Sequence, residues 1–457
     1  MVPVRPERKP WIMNRHRTGL LLTLFIILAA LTTGIPATAA SSSTTVVESL
    51  DRAAHPLRTV EPGGDTDDLR PLDRMIGEAR VVGLGEATHG SHDFFALKDR
   101  VFRHLVEEKR FRTFALEVPW STGARLNDYV LYGKGDPRRV MREEFQRDYL
   151  WWNNTDCSRL IEWMRAYNVR HPDDPVRFMG DDIAWTGPEL YDAVEAYVAD
   201  ARPELSARLA ELYRGLRPTV RTGAYIEQYL RLPYAEREER AERTGEALRL
   251  LAGRAPGSDR RQAYDLVLQQ ARVIDQTARQ YAFDFEDPAQ IAAAMRYRDG
   301  AMAANVVWWQ RHTGTKVLLS AHNNHVGYVP EEPAENPKVQ GAFLRESLGA
   351  GYVSVGLTFD RGSFNATGTD DEVIRRWTLG PADPAGNERT LDRVRYRDHL
   401  LDLRSVGAPA DDWLRRARPT RSIGTAYPDG PHDMALARTY DVLIHLHRVE
   451  ASTLRDR

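Results

Sequence analysis

A chain of 457 residues is long enough for two domains, or for one large α/β domain with an insertion, and its 42% apolar and aromatic content is ample for a core. Its 63 basic and 65 acidic side chains leave a formal net charge of −2, which argues against a nucleic-acid-binding surface. The single cysteine, Cys157, excludes an intrachain disulfide framework, so stability rests on packing; the thiol itself is expected to be a buried apolar side chain.

The first forty residues read as a signal peptide rather than as part of the fold. Arg5, Arg8, Lys9, Arg15 and Arg17 form a basic leader, and an apolar stretch over residues 19–31 follows. It is shorter than the roughly 20 apolar residues a bilayer crossing needs. Pro36 ends it, and Ala37-Thr38-Ala39-Ala40 supplies the small residues of a signal-peptidase site, with an uncleaved anchor as the alternative. No later apolar run is long enough to cross again. The expectation is a secreted or extracytoplasmic protein, residues 41–457, with no stable membrane insertion after cleavage.

Four short apolar runs then end on ionisable residues. Residues 79–84 (ARVVGL) lead into Gly85-Glu86, and residues 112–116 (RTFAL) into Glu117. Residues 176–179 (VRFM) lead into Gly180-Asp181-Asp182, and residues 316–320 (KVLLS) into Ala321-His322-Asn323-Asn324-His325. Each has the length and residue bias of a strand buried on both faces. Helical spacing fills the gaps, over residues 94–109 and 160–168. Alternating strands and helices predict an α/β fold: a mostly parallel central sheet flanked by helices. In such a sheet ligands bind beyond the carboxyl ends of the strands, so the four polar clusters converge on one rim. Residues 188–277, rich in Arg, Glu, Leu and Ala, read as a helical insertion forming part of the cleft. Residues 352–359 and 440–446 are further strands, and residues 364–386 read as an irregular loop.

Glu86 and His89 lie three apart, with Gly85 and Gly90 relaxing the backbone around them. A carboxylate beside an imidazole orients it and raises its basicity, so that it can take a proton from water or a serine near neutral pH. His89 alone would be read as structural as readily as catalytic; its place at a strand end among other ionisable groups turns the reading toward function. Glu117 is either a structural ion-pair member, with Lys98 or Arg100, or a second catalytic carboxylate. Thr88, Ser91 and Asp93 are equally good caps for the following helix. His89 or His92 with Glu86 or Glu117 and His322 or His325 could also hold zinc, although the helical His-Glu-x-x-His spacing is absent. Gly-x-Ser-x-Gly and Gly-x-x-x-x-Gly-Lys-Ser/Thr are absent too, which weighs against a serine hydrolase elbow and a P-loop. Tyr149, Trp151 and Trp152 read as core; Trp120, just after Glu117, reads as lining a cleft and contacting substrate.

Taken together, Gly85-Glu86-Ala87-Thr88-His89-Gly90, Phe94-Phe95, Ala115-Leu116-Glu117, Gly180-x-Asp182 and Ala321-His322-Asn323-x-His325 resemble the erythromycin esterase family in order and spacing. Arg298-Asp299 with Met302 and Asn305 looks like a helix of that family upstream of the Ala-His-Asn segment. The resemblance covers residues 69–448. It implies metal-independent, cofactor-free hydrolysis of a small-molecule ester or macrolactone by an activated water, and with it macrolides and antibiotic resistance. Glu86, His89, Glu117 and His322 become the catalytic set, with His322 giving a proton to the leaving alcohol. His325, Asp182 and Lys98 fall on the substrate side. Lys98 matches a position that is Arg in some relatives and lacks the planar fork of Arg. The alternatives are a metal-dependent hydrolase using the same cluster and a non-catalytic ligand-binding protein of the envelope; intact Glu86, His89, Glu117 and His322 weigh against the latter.

Overall fold

The computed structural model describes residues 37–253, 260–371 and 373–455. The expected leader lies outside these residues except at its end, where Ala37–Ala53 forms one helix. No helix among the described residues is long and apolar enough to cross a membrane.

In chain order the strands are β1 His55–Pro56, β2 Val81–Leu84, β3 Phe111–Pro119, β4 Arg177–Asp182, β5 Lys316–Ser320, β6 Tyr352–Gly368, β7 Ile374–Leu379, β8 His399–Asp402, β9 Arg418–Thr420, β10 Ala426–Tyr427, β11 His432–Met434 and β12 Val442–Val449. The main sheet runs β1-β8-β12-β6-β2-β5-β3-β4, with β7 and β10 also paired to β6. From β12 to β4 every neighbour is parallel; β1, β7 and β8 pair antiparallel. The expected α/β architecture with a mostly parallel sheet is what the chain forms.

The side-chain alternation of each strand explains why these runs are apolar throughout. Val82, Leu84, Phe114, Leu116, Leu318 and Val355 point into one core. Their neighbours Val81, Ala115, Val317, Leu319 and Tyr352 point into the other. Helices His92–Glu108, Trp120–Tyr132 and Thr155–Arg170 cover the first face, where Cys157 is also buried. Helices Pro188–Ala201, Ser206–Tyr213, Tyr234–Ala252, Arg261–Tyr281 and Pro288–Thr313 bury residues on the second. Strands sandwiched this way have no polar face for a period-two pattern to show.

The helical run that begins at Pro188 continues past residue 277 to Tyr281 and, after a short break, through Pro288–Thr313. It packs on the segment leaving β4: Thr277 Oγ1 donates to Ile183 O at 2.7 Å and Tyr281 OH to Ala184 O at 2.6 Å. Residues 364–386 differ from the irregular loop expected of them. Strand β6 runs on to Gly368 and turns back as β7, pairing Gly362 with Leu379 through to Thr367 with Ile374. Phe364 and Ala366 are buried in the first core, and Gly368, Asp370 and Asp371 fall at the turn, where Val373 N donates to Asp371 Oδ1 at 3.1 Å; residues 380–386, after β7, are irregular as expected.

Helix Trp120–Tyr132 sits on β4 through two glycines. A Cβ on Gly123 would lie 2.0 Å from Gly180 N, and one on Gly180 would lie 2.3 Å from Pro119 O. Backbone meets backbone there, so neither side can give way. Gly123→Ala is expected to lower the unfolding free energy by about 1–3 kcal/mol, the usual cost of overpacking. Gly300→Ala, whose methyl would meet Phe343 at 3.4 Å, should change it little. Urea unfolding of both variants checks this.

Candidate active site

The carboxyl ends of β2, β5, β3 and β4 are neighbours in the sheet, so the four predicted clusters do meet. Gly85 lets them close up: a Cβ there would lie 2.1 Å from Asn323 Oδ1. Asn323 N donates to Glu86 O at 2.9 Å, and the Asn323 amide bridges both backbone groups of Leu357 on β6. One side chain thereby ties the loops after β2 and β5 to a third strand. Gly90 is equally confined, since its Cβ would lie 1.9 Å from Asn365 O.

Two linked polar groups result. In the first, His89 Nδ1 lies 2.6 Å from Glu86 Oε1, and Lys98 Nζ donates to Glu86 Oε2. Lys98 reaches from helix His92–Glu108, and its ammonium is also 3.4 Å from Ala321 O. In the second, Glu117 Oε2 accepts the His322 backbone N–H at 2.9 Å, while Glu117 Oε1 lies 3.2 Å from His325 Nε2 and 3.5 Å from the Arg298 guanidinium. His325 Nδ1 lies 2.6 Å from Asp299 Oδ1. Arg298 also forks onto Asp182 through Nε at 2.9 Å, and Tyr149 OH donates to the same carboxylate at 2.7 Å. The groups meet where the His89 ring stands 5.1 Å from the His322 ring and 5.0 Å from Trp152. His89 is 5% exposed and His322 and His325 each 7%, so only an edge of each reaches solvent.

Protonation follows from these partners. Burial lowers the pKa of His322 well below the usual value, and the neighbouring His89 lowers it further, so the ring is neutral. Its Nδ1 accepts the Asn324 N–H at 3.2 Å, which puts the proton on Nε2. That Nε2 is buried and has no protein partner. His325 is the opposite case: burial alone would lower it, but Asp299 and Glu117 outweigh burial and raise it well above the usual value. Burial would likewise raise Glu117, yet the charge and hydrogen bond of His325, with His89 and Arg298, hold it well below. Burial and the adjacent Asp182 push Asp181 well up.

Several expectations are corrected. Glu117 pairs with neither Lys98 nor Arg100; the first is taken by Glu86 and the second by Asp68. Lys98 is fully buried, so it holds Glu86 rather than touching substrate. Trp120 does not line a cleft: it is buried edge-on against Trp308 and Trp309 at 5.7 and 5.6 Å, because its ring turns into the second core while Leu126 and Val130 of the same helix face the first. Asp182 is buried under Arg298 and Tyr149, which suits orientation rather than direct contact. Trp152, read as core, packs on His89. Ser91 occupies the cap position of the following helix without a side-chain cap bond. His92 leaves the metal alternative altogether, since its nitrogens face Asp156 at 2.9 Å and Glu61 at 2.7 Å. Among the described residues the three potential ligands that do converge are Asp360, Asp392 and His447, none of them in the expected set, and they are already contacted by Arg361 and Arg397. From sequence, Arg298 and Asp299 enter only through the family resemblance and Tyr149 only as core; the adjacent Arg and Asp on the helix Pro288–Thr313 are the available signal.

The chain matches the family described as Erythromycin esterase over residues 106–449. It is similar to the Erythromycin esterase type II of Escherichia coli, 25% identical over 323 residues, 66% of this chain and 74% of that protein. In structure it resembles a succinoglycan biosynthesis protein with a TM-score of 0.81 and 30% identity, over 91% of this chain and 99% of that one. An erythromycin esterase mutant in its open conformation shares the fold at a TM-score of 0.69 and 17% identity, over 88% of this chain and all of that one. The family match begins after Glu86, His89 and Lys98; the structural likeness spans most of the chain.

Two outcomes are expected of this geometry. Lys98→Met strands a buried carboxylate and should cost about 3–5 kcal/mol, read by chemical denaturation, with loss of ester turnover. His92 is raised from 6.5 to about 9, first by its Asp156 hydrogen bond against burial and then by the Asp156 and Glu61 charges. A raised imidazole stabilises the fold fully below its unfolded pKa of 6.5 and loses that contribution as pH rises through about 9. The stability lost in His92→Asn should therefore be largest near about pH 6 and shrink, by on the order of 1–2 kcal/mol, by about pH 9.5 in urea unfolding.

Proposed function

The chain belongs to the erythromycin esterase family, and from that premise we propose how this ester-hydrolysing enzyme works: a water activated by His89 attacks the carbonyl of a carboxylic ester or macrolactone, without a metal. The observation that carries the proposal is the meeting of an oriented base with an unpaired donor. Glu86 receives the Nδ1 proton of His89, leaving the Nε2 lone pair as the base. Beside it, His322 carries an Nε2–H with no protein acceptor.

In this reading His89 Nε2 takes a proton from water as the oxygen bonds to the ester carbon. The His322 N–H donates to the developing oxyanion. When the tetrahedral species collapses and the C–O bond breaks, the His89 imidazolium returns the proton to the leaving alkoxide. A neutral, low-pKa His322 suits hydrogen-bond donation better than the general-acid role expected from sequence. Glu117 stabilises the transient charge on His89 and holds the His322 backbone; His325 and Arg298 keep Glu117 charged. Metal independence is favoured because His89 Nδ1 and both nitrogens of His325 are already engaged by carboxylates. Macrolides such as erythromycin are the first substrates to try, by analogy with the relatives. The basic leader and apolar stretch of residues 1–40 support action outside the cytoplasm.

His89→Asn should reduce kcat for 4-nitrophenyl butyrate by about 10²–10⁴-fold with an unchanged circular dichroism spectrum. His322→Phe, which removes the donor, should cost about 10²–10³-fold. Activity should survive EDTA; loss that zinc restores would reverse the metal-free reading. Mass spectrometry after incubation with erythromycin tests the substrate, since lactone opening adds one water.

A further inference from the structure

The catalytic edge holds a second feature that this chemistry does not use. A pocket of about 240 Å³ is lined by the apolar and aromatic side chains of Leu379, Ile423 and Tyr427 together with the carboxylates of Asp383, Glu388 and Asp429. Its inner wall is joined to both catalytic loops. Ile423 N donates to Ala87 O at 2.6 Å, inside the Glu86–His89 loop. Ser422 Oγ donates to Glu331 Oε1 at 2.6 Å, and Glu331 N donates in turn to Asn324 Oδ1 at 3.0 Å, two residues from His322. The pocket wall is thus hydrogen-bonded to the loop that carries His89 and, through Glu331, to the loop that carries His322.

The lining selects for positive charge. Glu388 is 1% exposed and accepts the Arg421 backbone N–H at 2.7 Å. Burial pushes its carboxyl up to about 7 even though two backbone N–H groups and the Arg421 charge pull it down, so burial is only partly offset and a further cation beside it would be favoured. Asp383 and Asp429 stand exposed at the mouth. Arg421, the basic side chain of the lining, has its guanidinium held by Asp360 O and Gly380 O and lies over the Phe359 ring at 5.5 Å, while its charge also acts on Glu388. Tyr427 completes the set with an aromatic ring held edge-on by Phe364 and Trp377 at 5.5 and 5.0 Å. Carboxylates and an aromatic ring lining one space are the means by which proteins hold alkylammonium groups. The volume admits such a group with a short tether but not a whole drug-sized molecule, which takes about 300–1,000 Å³.

We propose that this pocket is a subsite for an alkylammonium group carried by the substrate, an assignment that rests on the ester-hydrolysis reading above. The probes are choline and its uncharged isostere 3,3-dimethylbutanol, titrated calorimetrically into the full chain. Choline should bind saturably and at least about tenfold more tightly than the isostere. Glu388→Gln should reduce that preference to about threefold or less, and Tyr427→Leu, a substitution nearer the surface, should weaken choline in the same direction. Equal binding of the two probes, no choline binding, or a preference that survives both substitutions overturns the assignment. Hydrolysis of 4-nitrophenyl butyrate in the same samples separates the two readings. Turnover without choline preference refutes the subsite alone; choline preference in a His89→Asn variant that still turns over refutes the catalytic assignment alone.

Discussion

The site depends on one buried carboxylate finding enough partners. Glu86 has no solvent exposure, and an uncompensated carboxylate in that position would be costly. Lys98 and His89 divide its two oxygens between them. Because Lys98 comes from a helix and also approaches Ala321, this contact fixes the loop after β2 against both the helix behind it and the strand end beside it. The orientation of His89, and with it the direction of its second nitrogen, follows from that arrangement. Asn323 adds a neutral counterpart, since its amide satisfies backbone groups of Leu357 on β6, beyond the point where β2 ends.

A second set of charges is organised by consecutive residues on one helix. Arg298 and Asp299 diverge by about 100° around the helix axis, so they can reach different arms of the site. Arg298 clamps Asp182 and approaches Glu117, while Asp299 holds His325 and also accepts the Asn336 amide and the Gln340 backbone N–H. Glu117 consequently lies between two cations. Histidines within one edge thus take different electrostatic characters: His325 is stabilised as a cation, while His322 is kept neutral. Asymmetric surroundings of this kind are how a single residue type serves different roles.

Much of the architecture was legible along the chain. The parallel strands were visible because burial on both faces makes them uniformly apolar, and their polar ends marked the rim directly. The continuation of β6 into the hairpin with β7 was not visible, because Gly and Asp in its turn outweighed the alternation at Phe364 and Ala366. Trp120 was misplaced for a related reason: position next to Glu117 in sequence does not show which face of the following helix the ring takes. The partners of Glu117 were also hidden, since Lys98 and Arg100 lie nearer in sequence than Arg298 and His325.

What the sequence determined by itself was the class of fold, the family and the polar clusters at four strand ends, because strand-end position and residue type are local properties. Which carboxylate orients which imidazole is not local. The assignment of Glu86 to His89, of Asp299 to His325, and of Lys98 to a buried counterion rather than a substrate contact came only from the tertiary structure. So did the pocket around Glu388 and Tyr427, whose walls come from β7, the helix Asn387–Leu391 and the loops after β9 and β10. Electrostatic partnership falls off over a few ångströms in space, and only the folded chain sets those distances.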